Sequence, residues 1–255
     1  MITIGSLFSG IGGLERGLEK SIPNSKTIWQ VEKDQFCRSI LAKHWPDVQR
    51  YNDIKDFNTH LDAVQRPTII CGGFPCQSIS KAGKKEGLSN AKKSGLWYAM
   101  AKTIGILRPK IVLIENVSNA IYLGGADVLR SLAKIGYDAE WQIIRSAAAF
   151  GAPHRRERWF CVSYPSAQII QKHAKHPSSM ATKRRSGHSN CERGRIQPAD
   201  HWQKRPNTPP LYRVAARVPR GLHPTKRLKA LGNAVVPQCA EYIGRCILAS
   251  GLLDD

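Results

Sequence analysis

Acidic residues are scarce in this chain: 19 Asp and Glu stand against 39 Lys and Arg, giving a formal net charge of +20 and a pI of about 10.0. An imbalance of that size points away from cationic partners and toward a polyanion, since phosphate neutralisation supplies most non-specific nucleic-acid binding. No apolar run is long enough to cross a bilayer, and no secretory leader pattern is present. The basic stretch also lacks the sustained apolar helical face that an anionic membrane surface would require. The seven cysteines form no Cys-x-x-Cys pair and no regular spacing. That pattern argues against a disulfide framework and fits free thiols in a reducing cytoplasm. His173 with His176, or His188 with Cys191, are loose pairs of the kind chance supplies in a basic loop, so no metal is assigned. The Gly-x-Gly-x-x-Gly spacing of dinucleotide sites is missing as well, which disfavours a nicotinamide oxidoreductase.

What the chain does contain is room for one α/β core and a small appendage within its 255 residues. Apolar runs predict strands over Met1–Phe8, Lys26–Val31, Gln49–Tyr51, Thr68–Cys71 and Ile111–Ile114. Helical patterns lie between them, over Leu14–Ser21, Asp34–His44 and Leu96–Leu107. This alternation predicts an α/β fold built on a mostly parallel, doubly wound sheet, with ligands bound beyond the carboxyl ends of its strands. Tyr137–Ile144 and Arg158–Val162 predict two further strands, paired as an antiparallel hairpin. Between Pro165 and Arg220 periodicity dissolves into Ser, His, Arg, Pro and Asn, and this reads as a small irregular basic module. Helical character returns over Ala230–Leu253, where Val236, Ala240, Ile243, Ile247 and Leu248 can share one apolar face.

The residues that carry chemistry fall at predicted strand ends. Ile69-Ile70-Cys71-Gly72-Gly73-Phe74 runs into Pro75-Cys76-Gln77, presenting a cysteine at the start of a loop, where backbone N–H groups favour a thiolate. A lone cysteine is more often structural, so its company decides the reading. The turn Phe8-Ser9-Gly10-Ile11-Gly12-Gly13 lets a ligand approach backbone closely at a helix N-terminus. Glu32 is placed to bind ribose hydroxyls and Asp53 to accept from an adenine amino group, although either acid alone is equally a helix cap.

In order along the chain, these segments resemble the cytosine-C5 DNA methyltransferase family. Phe8–Gly13 is similar to its cofactor loop, and Gly73-Phe74-Pro75-Cys76-Gln77 to its nucleophile motif. Glu115-Asn116-Val117 resembles its acid motif, Gly151-Ala152-Pro153-His154-Arg155-Arg156-Glu157-Arg158 its arginine motif, and Gly232-Asn233-Ala234-Val235-Val236-Pro237-Gln238 its closing motif. The resemblance implies a class I S-adenosyl-methionine-dependent methyltransferase fold, with a catalytic domain over 1–164 and 226–255 and a short target-recognition module over 165–225. It implies a catalytic set of Cys76, Glu115, Arg156 and Arg158, in which Cys76 attacks cytosine C6, Glu115 holds N3 and the exocyclic amine, and Arg158 meets the O2 side. S-adenosyl-methionine is the implied cofactor. Its implied contacts are Phe8, Ser9, Gly10, Ile11, Gly12, Gly13, Glu32, Asp53, Ile54, Gly73, Pro75, Leu96, Asn233 and Ala234.

Such chemistry cannot reach a stacked cytosine, so the implied substrate is a base flipped out of double-stranded DNA. Gln77, Ser80 and Lys81 are implied DNA contacts on the segment that closes over the duplex, and Arg184, Arg185, Arg193 and Arg195 are candidates in the recognition module. Two departures stand out. His154 occupies a position usually held by Gln, and the recognition region is short, which favours a brief target sequence. The setting implied is a bacterial or phage cytoplasm, associated with the nucleoid. A companion restriction endonuclease belongs to that setting, though no residue specifies it. A monomer is expected, because flipping one base needs no second subunit. Two other readings are the same chemistry on tRNA and a non-catalytic DNA-binding module. The first lacks its Cys-Phe-Thr tripeptide after Asn116, and the second predicts loss of a catalytic residue, whereas Cys76, Glu115 and Arg158 are all present.

Overall fold

Three strands rich in Ile, Val and Leu make the centre of the sheet: β1 (Ile2–Leu7), β4 (Ile69–Gly72) and β5 (Ile111–Val117) are almost wholly buried, as strands covered on both faces must be. The computed structural model describes residues 1–75, 95–151, 156–166 and 224–254. With β2 (Ser25–Val31), β3 (Gln49–Tyr51), β6 (Tyr137–Arg145) and β7 (Glu157–Pro165), the sheet has seven strands in the order β3-β2-β1-β4-β5-β7-β6. The chain winds from β1 outward to β3, then returns to the other side of β1 at β4. That reversal opens a crevice at the carboxyl ends of β1 and β4. β7 alone opposes its neighbours, pairing antiparallel with both β5 and β6. The expected mostly parallel α/β sheet is therefore present.

Side chains alternate across β1, sending Ile4 to one core and Leu7 to the other. One core collects Trp29, Phe57, Ile70, Trp97, Met100 and Ile114 beneath α3 (Ile54–Phe57), α4 (Gly95–Leu107) and α5 (Ala126–Lys134). The other collects Leu14, Leu18, Ile69, Leu113, Phe160 and Ile243 beneath α1 (Gly13–Ser21) and the last helix. Between β2 and β3 lies α2 (Gln35–His44), whose N-cap Asp34 accepts from the Phe36 and Cys37 amides, and after β6 comes the short α6 (Ser146–Phe150).

The carboxyl-terminal stretch differs from expectation. Instead of one helix over Ala230–Leu253 there are two, α7 (Pro224–Asn233) and α8 (Pro237–Ala249). Pro237 lacks an N–H and disfavours helical geometry at Val236, so Val236 caps α8 with extended dihedrals while still packing against the core that Ala240, Ile243 and Ile247 enter. The helix then packs very closely on α1: a Cβ at Gly17 would lie 2.4 Å from the Pro237 carbonyl oxygen, and one at Gly244 would lie 2.0 Å from Ser21 Oγ. Cys239 is buried in this face. β6 and β7 are antiparallel partners but not a tight hairpin, since α6 and residues 151–156 intervene. Residues 167–223, nearly all of the basic module, lie outside the described residues. Among the described residues, no helix is long and apolar enough to cross a membrane.

Candidate active site

The turn after β1 is shaped by backbone conformations that most residues avoid. Phe8, Gly10 and Gly12 adopt φ of 55°, 57° and 85°. Gly12 is the N-cap of α1, and a Cβ there would sit 2.3 Å from the Trp45 ring. At Gly10 a Cβ would meet nothing among the described residues within 4 Å, and these leave open space over it. Its amide donates to Glu32 Oε2 at 2.8 Å, while Glu32 Oε1 accepts from the Asp34 amide at 2.7 Å. Glu32 thus ties the β1 turn to the start of α2, with each carboxylate oxygen retaining acceptor capacity toward a hydroxyl. Ser9 Oγ donates to Ser6 Oγ at 2.9 Å beneath the turn, and Ile11 is half-buried.

Asp53 stands at the end of β3 as the cap of α3, accepting from the Lys55 amide at 3.0 Å, and it pairs with Lys33 at 2.9 Å. The Lys55 amide and the lysine hold its carboxyl below the usual carboxylate range. Ile54, next along, is 2% exposed and forms part of the core, while Leu96 packs on the same core from the first turn of α4. These groups offer an adenosine-like ligand a carboxylate at β2, an open glycine turn at β1 and an apolar flank.

At β5 the chemistry changes. Glu115 is 7% exposed, and Arg158 Nε donates to its Oε1 at 2.8 Å. Burial pushes the Glu115 carboxyl up to about 7, against the opposing pull of Arg158 and Arg156. Its other oxygen faces β4: a Cβ at Gly73 would come within 2.6 Å of Oε2. The acid is therefore aimed at the strand end from which Phe74, Pro75 and Cys76 continue. Phe74 packs its ring on Trp97, with centroids 5.4 Å apart, and Pro75 is exposed. Cys76, together with Gln77, Ser80 and Lys81, lies outside the described residues, as do Arg184, Arg185, Arg193 and Arg195.

Antiparallel β7 is what brings arginine to this edge, because its first residues lie opposite the last residues of β5, with Arg158 facing Val117 and Phe160 facing Glu115. Arg156, two residues earlier, turns elsewhere. It donates to the carbonyl oxygens of Leu231 at 2.8 Å and Gly232 at 3.1 Å, and also to that of Ala234. The neighbouring Asn233 is exposed and Ala234 half-buried. The next residue, Val235, returns to the first turn, where a Cβ on Gly13 would lie 2.5 Å from its carbonyl oxygen.

One participant was missed in the sequence. Asn116 is 3% exposed, and its Nδ2 donates to the Phe74 carbonyl at 3.1 Å while its Oδ1 accepts from the Val117 amide at 2.9 Å. It fastens β5 to the chain two residues ahead of Cys76. Its only signal was adjacency to Glu115.

A glycine turn, a carboxylate on the next strand and an acid–arginine pair on this strand order describe a methyltransferase fold. The S. pombe Dnmt2 methyltransferase shares it, with a TM-score of 0.52 at 19% identity, covering 72% of this chain and 57% of that one. A Spodoptera frugiperda DNMT2 variant gives 0.51 at 16% identity, covering 73% and 54%. The profile of C-5 cytosine-specific DNA methylases matches residues 2–207, and the chain belongs to that family. Type II methyltransferase M.CviJI of Paramecium bursaria Chlorella virus IL3A is 33% identical over 169 residues, covering 64% of this chain and 44% of that protein. M.Bsp6I of Bacillus sp. (strain RFL6) is 26% identical over 168 residues, covering 64% and 52%. M.MspI of Moraxella sp is 28% identical over 177 residues, covering 67% and 40%. The matches span about half the length of these relatives.

Proposed function

We propose that this chain is a DNA (cytosine-5-)-methyltransferase that acts on a cytosine flipped out of double-stranded DNA, with S-adenosyl-methionine as methyl donor. The observation that carries the reading is the buried Glu115, held by Arg158 on one oxygen and turned toward Gly73 by the other. An acid poised near neutrality can donate a proton to cytosine N3 and take it back, which an ordinary surface carboxylate cannot do at pH 7.

The steps follow from what cytosine needs. C5 is a poor nucleophile, so the Cys76 thiolate adds to C6 while Glu115 protonates N3, making C5 enamine-like. Arg158 supports the O2 side and fixes the orientation of Glu115. The bound cofactor supplies an electrophilic methyl group for C5. The C5 proton then leaves to a base, the Cys76–C6 bond breaks, and N3 returns its proton to Glu115. Glu32 would hold the ribose hydroxyls, and the open turn at Gly10 would admit the cofactor's tail. Asp53, Ile54, Leu96, Asn233 and Ala234 would complete the pocket, with Gly73 and Pro75 between pocket and base. Gln77, Ser80, Lys81 and the basic module would engage the duplex, whose phosphates suit the net charge of +20.

Transfer of radiolabelled methyl from S-adenosyl-methionine to unmethylated duplex, with tRNA in parallel and digestion to nucleosides, tests this. The expected result is labelled 5-methylcytosine in DNA, lost in Cys76→Ala. Label in tRNA alone would retain the chemistry and overturn the substrate. Absence of label from both would overturn the activity.

A further inference from the structure

The two arginines of β7 point in different directions. Arg158 reaches Glu115, with a longer 3.4 Å contact to the Gly232 carbonyl. Arg156 instead gathers the carbonyls of Leu231, Gly232 and Ala234. Two of these belong to the last turn of α7, whose terminal carbonyls have no intrahelical donor, and a guanidinium is a fitting cap for that negative end. The corner it grips is trapped on its other side by the first turn, since the Val235 carbonyl leaves no room for a Cβ at Gly13. A continuous physical path therefore runs from the cofactor turn, through residues 231–235, to Arg156 and the Glu115–Arg158 pair.

We propose that Arg156 is a positioning residue for the cofactor pocket, which it shapes by fastening the α7–α8 corner against the β1 turn, while Arg158 serves the base. This assignment rests on the cofactor reading above. It separates two arginines that the motif alone places together, and it makes cofactor affinity depend on a side chain that need not touch the cofactor. A single ammonium cannot reproduce a planar fork shared among three carbonyls, so lysine is a partial substitute at best.

The test is binding of S-adenosyl-homocysteine to the full chain without DNA, by titration calorimetry, with amide hydrogen exchange over residues 231–236 followed on the same samples. Arg156→Ala should weaken binding about tenfold or more and speed exchange at the corner. Arg156→Lys should recover part of both, and Arg158→Ala, which removes only one longer contact to Gly232, should disturb both less than Arg156→Ala does. Parent-like affinity and exchange in Arg156→Ala would overturn the proposal, as would equal losses in Arg158→Ala. Should Arg156→Ala fail to fold, the lysine variant decides, and parent-like values in it would count against the proposal. If the parent chain binds no S-adenosyl-homocysteine, the cofactor reading fails, and the exchange data alone support or overturn the clasp.

Discussion

Gly73 and Glu115 face each other across the β4–β5 boundary so closely that a methyl group on the glycine would lie 2.6 Å from the acid's Oε2. The strand end leading to Cys76 is thus the wall against which the acid is set. Any side chain at Gly73 must displace the carboxyl that Arg158 has oriented.

Gly73→Ala is therefore expected to lower methyl transfer by about 10², the usual consequence of misplacing a catalytic group by about an ångström. Because Gly73 also borders the proposed cofactor pocket, S-adenosyl-homocysteine affinity should fall as well, but less than transfer does. Single-turnover transfer and equilibrium binding, measured together, check this; unchanged transfer would mean that the acid is free to move.

Glu115→Gln keeps the shape and the Arg158 contact but removes the transferable proton. Methyl transfer should fall by about 10² or more. In the parent, burial holds the carboxyl near 7, so its acid form is lost and transfer declines as pH rises through that value. The glutamine variant should lose this limb of the pH profile. A profile of identical shape in both proteins would remove Glu115 from proton transfer.

Asn116→Ala leaves the Phe74 carbonyl without its side-chain donor in a buried setting, at a cost of about 1–3 kcal/mol. Chemical denaturation should register that loss. Transfer should fall further than stability alone explains, because the released segment carries Cys76. Parent-like turnover of the folded variant would show that Phe74 needs no such tether.

Glu15 offers a test of stability against pH. It is fully buried in α1, Gln30 Nε2 donates weakly to its Oε1 at 3.4 Å, and its Oε2 has no hydrogen-bond partner among the described residues. Burial pushes its carboxyl up to about 7, helped by the nearby Glu19, against the pull of Ser6 and Ser9. The folded state thus keeps a proton that the unfolded chain releases near 4.5. The stabilisation is complete below that value, is lost as pH rises toward about 7, and is absent above it. The shift corresponds to a loss on the order of 3 kcal/mol. Glu15→Gln should not show it, so the variant should gain on the parent as pH rises. Parallel denaturation curves at both ends of the range would contradict this.

How much of this was legible depended on how local each interaction is. The β1 turn, Glu32 and Glu115 could be read because strand ends and glycine turns are written in neighbouring residues. The break before Pro237 was also written there, but the apolar periodicity on either side concealed it. Gly17 and Gly244 are small because each meets the opposing helix, a reason visible only once α1 and α8 lie together. Arg156 reaches carbonyls 75 to 78 positions away, and no local pattern predicts a partner at such a distance. Asn116 needed its burial, which sequence adjacency does not supply.

The close fit of α8 on α1 has a consequence for how the protein is made. The residues of the first turn and the surface that backs them, from Val235 to Gly244, are synthesised more than two hundred positions apart. At elongation rates of roughly 5–20 residues per second, the nascent chain waits about ten seconds or longer before that contact can close. Until then Gly13 and Gly17 expose a groove that only this later segment of the same polypeptide fits, so the proposed cofactor pocket closes well after the strands that frame it.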